Sequence, residues 1–167
     1  MEPTSRKYLF FDLDGTLTDS MPGIARAVQY ALRRFGIDVQ DLATLKPFLG
    51  PPLRDSFMEF YGMSPEEADR AVAVSREYFV PRGMFENELY PGIPELLAAT
   101  AAAGRVNVIA TSKPQPFAER IAAHFGIDRH FRLISGSTFD GRRKTKADVI
   151  RHALSALGIA PGEAVMI

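Results

Sequence analysis

Two periodicities divide this chain. Tyr8-Leu9-Phe10-Phe11 is a short unbroken apolar run that stops at a turn signal, the pattern of a buried strand. From Pro22 to about Phe35 the pattern changes. Ile24, Ala27, Val28, Ala31, Leu32 and Phe35 recur at helical spacing, and Gly36 ends the helix. Three more helical stretches are predicted, over 41–48, 53–61 and 65–80. The last opens with Ser64-Pro65-Glu66-Glu67, an N-cap followed by Pro at the first helical position and by early acids. No convincing strand is found between Leu17 and Glu88. After Tyr90-Pro91-Gly92 short apolar runs return. The spacing predicts a helix over 93–103, a β-branched strand over 105–110 and a helix over 114–125. A short strand over 131–135, an amphipathic helix over 144–157 and a final strand over 163–167 follow.

Strands that alternate with helices imply right-handed crossovers and a parallel sheet, so the fold class is α/β. An all-helical stretch between two sheet-forming regions implies an inserted domain. We expect a discontinuous core of residues 1–16 and 89–167 and a helical cap of residues 17–88, which would hinge over a crevice and exclude water.

Bulk properties narrow the partners. Lys plus Arg and Asp plus Glu are equal at 20 each, and the basic residues are scattered, so no nucleic-acid footprint is formed. No segment has the apolar length to cross a bilayer. Met1–Lys7 lacks the pattern of a secretory leader. With no cysteine, disulfides and thiolate metal sites are excluded. A cytoplasmic protein with a small-molecule partner, and neither a nucleic-acid polymer nor a membrane, is expected; oligomeric state is undetermined.

The first apolar run feeds directly into Asp12-Leu13-Asp14-Gly15-Thr16. Ligands of open α/β sheets bind outside the carboxyl ends of the strands. Two carboxylates two residues apart are therefore aimed at a binding crevice, where like charges repel unless a cation or a proton lies between them. Mg²⁺, which takes carboxylate and backbone oxygens, would relieve the repulsion. The alternative reading is an Asp-rich turn capping the next helix.

Asp12-x-Asp14-Gly15-Thr16 after an apolar strand resembles the nucleophile motif of the haloacid dehalogenase superfamily of phosphohydrolases. The resemblance implies a Rossmann-like core with a helical cap. It also implies an aspartyl-phosphate formed on Asp12, with Asp14 as general acid/base and Mg²⁺ held by Asp12 and Asp14. Gly15 would let the backbone turn and approach a phosphate. Val106–Pro114 looks like the second motif of that family, with the Thr111 hydroxyl and the Ser112 N–H directed at a phosphoryl oxygen from a helix start. Thr145-Lys146-Ala147-Asp148 looks like the third, with Lys146 contacting phosphate and nucleophile and Lys144 as its rival. A lysine at a helix N-terminus opposes the macrodipole, so an anion is needed to justify it. Leu49-Gly50-Pro51-Pro52-Leu53-Arg54 resembles a cap loop of such enzymes, in which Arg54 would touch the distal group of the substrate; a surface arginine is the alternative. His124, His130 and His152 have no metal-ligand spacing.

The fourth motif of the family, a Gly-Asp pair and a further acid after the next strand, is absent from Gly162–Ile167. The C-terminal part of the core is thus expected to be missing, and Mg²⁺ to rest on Asp12 and Asp14 alone, with weak binding and slow turnover. The function this implies is a Mg²⁺-dependent phosphomonoesterase of phosphoglycolate phosphatase type, acting on a small phosphorylated metabolite. A 5′-nucleotidase, a phosphomutase similar to β-phosphoglucomutase, and an impaired fragment or non-catalytic module are the alternatives. Dehalogenation is disfavoured, because Asp14 suits phosphoryl chemistry.

Overall fold

A computed structural model describes residues 6–167. Residues 1–5, which carry most of the leader reading and the start of the expected core segment, lie outside the described residues. The chain divides into two compact units: the described residues up to Leu17 with Leu89–Ile167, and Thr18–Glu88.

The first unit is an α/β sandwich built on a four-stranded sheet. Its strands are β1 (Tyr8–Phe11), β4 (Val106–Pro114), β5 (Phe131–Ser137) and β6 (Ala164–Met166), in the order β5-β4-β1-β6. All three pairings are parallel. β1 is central, paired with β4 from Tyr8↔Val106 to Phe11↔Ile109 and with β6 from Tyr8↔Ala164. Flanked on both edges, it has no use for polar side chains, which explains its unbroken apolar run. Phe10, Val108 and Ala110 pack with Val149 and Ala153 of α6 (Lys146–Leu157) on one face. On the other, the Asn107 amide reaches the Leu97 carbonyl of α4 (Ile93–Ala102) at 3.2 Å. Between β4 and β5 runs α5 (Gln115–His124).

The second unit contains α1 (Met21–Arg34), α2 (Leu53–Tyr61) and α3 (Pro65–Phe79) around a core that includes Val28, Leu32, Leu45, Phe48 and Phe57. The N-cap foreseen at Ser64 is formed, as half of a capping box: its hydroxyl accepts from Glu67 N–H, and the Glu67 carboxylate accepts from Ser64 N–H.

Several element ends differ from the sequence pattern, and four departures have a clear local reason. Residues 42–48 form a 3₁₀ helix with Pro47 inside it, because Pro47 has no N–H to donate to an α-helical ladder. Two-residue strands β2 (Thr18–Asp19) and β3 (Glu88–Leu89) pair with each other where no strand was expected; two residues are too few to show a period. β4 runs on to Pro114, because Pro114 is in register with Ser137 of β5, so α5 starts later than its apolar pattern implied. α6 starts at Lys146 rather than Lys144, because Thr145 caps it through a box with Asp148.

Candidate active site

Asp12 follows the last residue of β1, and its backbone is held by an N–H bond to the Ile167 carbonyl at 3.1 Å. One carboxylate oxygen accepts from the Leu13 N–H at 2.8 Å. The other lies 2.6 Å from Lys146 Nζ, which also donates to the Ala110 carbonyl of β4 at 3.0 Å. One ammonium thus joins the ends of β1 and β4 to the first turn of α6. Lys144 is exposed, while Lys146 and Asp12 keep about a third of their side-chain surface. The lysine at the helix start therefore has its anion, and the anion is Asp12.

Asp14 lies two residues on, just before the turn made by Gly15. Gly15 has φ +78°, a region L side chains rarely adopt, yet a Cβ there would meet nothing within 4 Å. The backbone conformation by itself requires glycine there, and no protein atom crowds the position.

The partner of Asp14 is a residue that motif reasoning passed over. Lys113 Nζ is 3.0 Å from Asp14 Oδ2, with the lysine side chain only 6% exposed and that of Asp14 15%. The other oxygen, Oδ1, is buried without a hydrogen-bond partner. The spacing becomes a signal for Lys113 only once β4 is known to run past Thr111: residues two apart in extended backbone point the same way. Thr111 and Lys113 are buried while Ser112 between them is exposed.

Thr111 is 1% exposed, and its hydroxyl oxygen accepts from the Lys113 N–H at 3.2 Å, which leaves its own proton available to donate. Ser112 departs from expectation. It sits within β4, three residues before α5, so its N–H is not at a helix N-terminus. Arg54, in the first turn of α2, is paired within its own unit: Nε is 2.8 Å from Asp69 Oδ1 and Nη1 is 3.6 Å from Met58 Sδ.

The electrostatics of the pair also differ from the sequence argument. Two carboxylates meet two ammonium groups, so lysines balance the repulsion that was assigned to a cation. The site is neutral as built. Among the described residues no group of three or more His, Cys, Asp or Glu is placed to hold a metal ion. The partly open Asp12 carboxylate nevertheless fits a Mg²⁺ ion, which commonly takes one or two carboxylates and completes its shell with water and substrate oxygens. A divalent cation would bring the site to about two positive charges, the complement of a phosphate monoester dianion.

The chain matches the family described as haloacid dehalogenase-like hydrolase over residues 7–167. It is 50% identical over 159 residues to a 5′-nucleotidase of Pseudomonas aeruginosa, covering 95% of this chain and 72% of that protein. It is 42% identical over 165 residues to the tyrosine-protein kinase PtkA of Mycobacterium tuberculosis, spanning 98% of this chain and 55% of that one. A crystal structure of a predicted phosphatase from Clostridium acetobutylicum superposes with a TM-score of 0.92 at 47% identity, over 96% of this chain and 74% of the other.

Proposed function

This chain belongs to the haloacid dehalogenase-like hydrolase family, and within it we propose a Mg²⁺-dependent phosphatase that hydrolyses a small phosphorylated metabolite through an aspartyl-phosphate on Asp12. The observation that carries the reading is the Asp12–Lys146 contact at 2.6 Å, with Lys146 held by the Ala110 carbonyl beside Thr111. Asp12 attacks phosphorus, and the bond to the leaving oxygen breaks. Asp14, which enters this step carrying a proton taken up from solvent, gives it to that oxygen. Water then attacks the aspartyl-phosphate, gives its proton to Asp14, and phosphate leaves. Lys146 and the Thr111 hydroxyl face the phosphoryl oxygens, where fixed donors act most strongly. Asp12 through its carboxylate and Asp14 through its backbone oxygen would hold Mg²⁺, which supplies charge neutralisation to those oxygens when bound.

In this reading Thr18–Glu88 is the cap and Arg54 the candidate for contact with the distal part of the substrate, after release from Asp69. The setting is cytoplasmic, the compartment of free phosphorylated metabolites. Nucleoside monophosphates come first as substrates, because the likeness to a protein named 5′-nucleotidase is extensive. Two-carbon acid phosphates of the phosphoglycolate type come second, and sugar phosphates third.

The test is a phosphate-release screen over these three classes with Mg²⁺. Release of inorganic phosphate separates a phosphatase from a mutase, which would return an isomerised sugar phosphate. Asp12→Asn should lower turnover by at least ~10³-fold, the scale for losing a covalent nucleophile, with an unchanged circular dichroism spectrum. Undiminished turnover in Asp12→Asn would end the reading.

A further inference from the structure

We propose that Lys113 is a positioning residue for the proton transfer of the reaction: it anchors Asp14 Oδ2 so that Oδ1 is the oxygen that gives and takes the proton. The inference deepens the phosphatase reading and rests on it. A lysine is among the side chains least often fully buried unless paired, and this one is buried at the carboxyl end of a central strand. Its ammonium lies 3.0 Å from one oxygen of a carboxylate whose other oxygen is buried and has no hydrogen-bond partner. A carboxylate fixed at one oxygen presents the second in a defined direction. The asymmetry therefore divides the work of Asp14 between its oxygens: Oδ2 is held, and Oδ1 is left for chemistry.

Lys113 has a second effect at the same place. In the first step the bond between phosphorus and the leaving oxygen breaks, and the Oδ1 proton passes to that oxygen. Negative charge grows on the Asp14 carboxyl during the transfer. An ammonium already in place beside Oδ2 stabilises that charge without reorganising. The water proton taken up in the second step neutralises Asp14 again.

This role predicts a dependence on the leaving group. An alkyl phosphate, such as a nucleoside monophosphate, expels a poor leaving group and needs the proton. p-Nitrophenyl phosphate expels a stable phenolate and does not. The quantity to measure is kcat/KM, which covers only the steps up to the first irreversible one and so omits hydrolysis of the aspartyl-phosphate. Lys113→Met should lower kcat/KM for the alkyl ester by about 100-fold, the lower end of a general acid's contribution. For the aryl ester the fall should stay below about threefold. Lys113→Arg should regain about tenfold of the alkyl loss by restoring the charge. In an Asp14→Asn background Lys113→Met should change alkyl turnover by no more than about twofold, since the two residues act as one unit.

Should Lys113→Met not fold, Lys113→Gln enters the same comparison. Equal losses on both esters, no loss on either, or a further large fall in the Asp14→Asn background would overturn the inference while leaving the phosphatase reading intact. A wild-type chain that releases phosphate from neither ester would overturn both.

Discussion

Asp12 and Asp14 look alike in the sequence and are unlike in the folded chain. Asp12 shares a partly open ammonium with a backbone carbonyl; Asp14 is paired with a buried one. Because the two lysines already balance the two acids, Mg²⁺ has little to gain by binding alone and much more once a phosphate dianion is present. We expect Mg²⁺ and an unreactive phosphate analogue to tighten each other's binding by about tenfold, within the usual range of coupling between ligands; titration calorimetry of each with and without the other measures it. Equal Mg²⁺ affinity in both conditions would contradict it. The acidic pair at the end of β1 was legible from residue types alone, because Asp-x-Asp-Gly after an apolar strand is unusual. The Asp14 partner was not, because nothing in the residue types around Lys113 distinguishes it from a surface lysine until β4 is known to continue past Thr111.

Among the elements, α6 is fixed at its start by Thr145 and Asp148. The Thr145 hydroxyl accepts from the Asp148 N–H at 3.1 Å, and the Asp148 carboxylate accepts from the Thr145 N–H at 2.9 Å. Hydrogen bonds from the Thr145 hydroxyl and N–H hold the Asp148 carboxyl down at about 2, against an ordinary value of 3.8. The ionised form is thus favoured by folding. Its contribution is present above the ordinary value and is lost as pH falls towards 2. The gap in melting temperature between wild type and Asp148→Asn should narrow over that window. Thr145→Ala should lower stability by about 1 kcal/mol at neutral pH, as for other N-cap losses, and Lys146 would lose part of its support at Asp12. β5 is constrained differently. A Cβ at Gly136 would come within 2.6 Å of Gln115 Cα and 2.7 Å of the Lys113 carbonyl oxygen, so Gly136→Ala must displace the segment that carries Lys113. Phosphate release by Gly136→Ala should fall while its helical circular dichroism persists. Periodicity located nearly every helix and strand of ordinary length, because each buries one face on a core. It failed at element ends and at two-residue strands, where register with a neighbour decides and period does not.

At the scale of the whole molecule, each unit carries an apolar cluster of its own. In the second, α1 meets residues 83–86 through a close backbone approach. Gly23 N–H donates to the Glu86 carbonyl at 3.0 Å, and a Cβ on Gly23 would sit 1.8 Å from the Gly83 carbonyl oxygen. Gly23→Ala should therefore loosen Thr18–Glu88 selectively. Amide exchange should quicken at Val28 and Leu32 and stay slow at Phe10 and Ile109, whereas uniform quickening would mean that the units unfold as one. That a helical stretch interrupts the sheet-forming regions was plain from the change of period, whereas the contact between Gly23 and residue 83, sixty positions later, left no trace in any local pattern.

Asp12 extends from a strand with neighbours on both flanks, its own N–H tied to the carbonyl of Ile167. In the proposed reaction the attacking group thus inherits the direction of its backbone from the scaffold. In laboratory selection for new phosphate esters, accepted changes should accumulate among residues 18–88 and along the exposed stretch 139–142, while replacements at Phe10, Ile109 and Ala164 are purged. Specificity can wander in such a protein; the angle of attack is handed down unchanged.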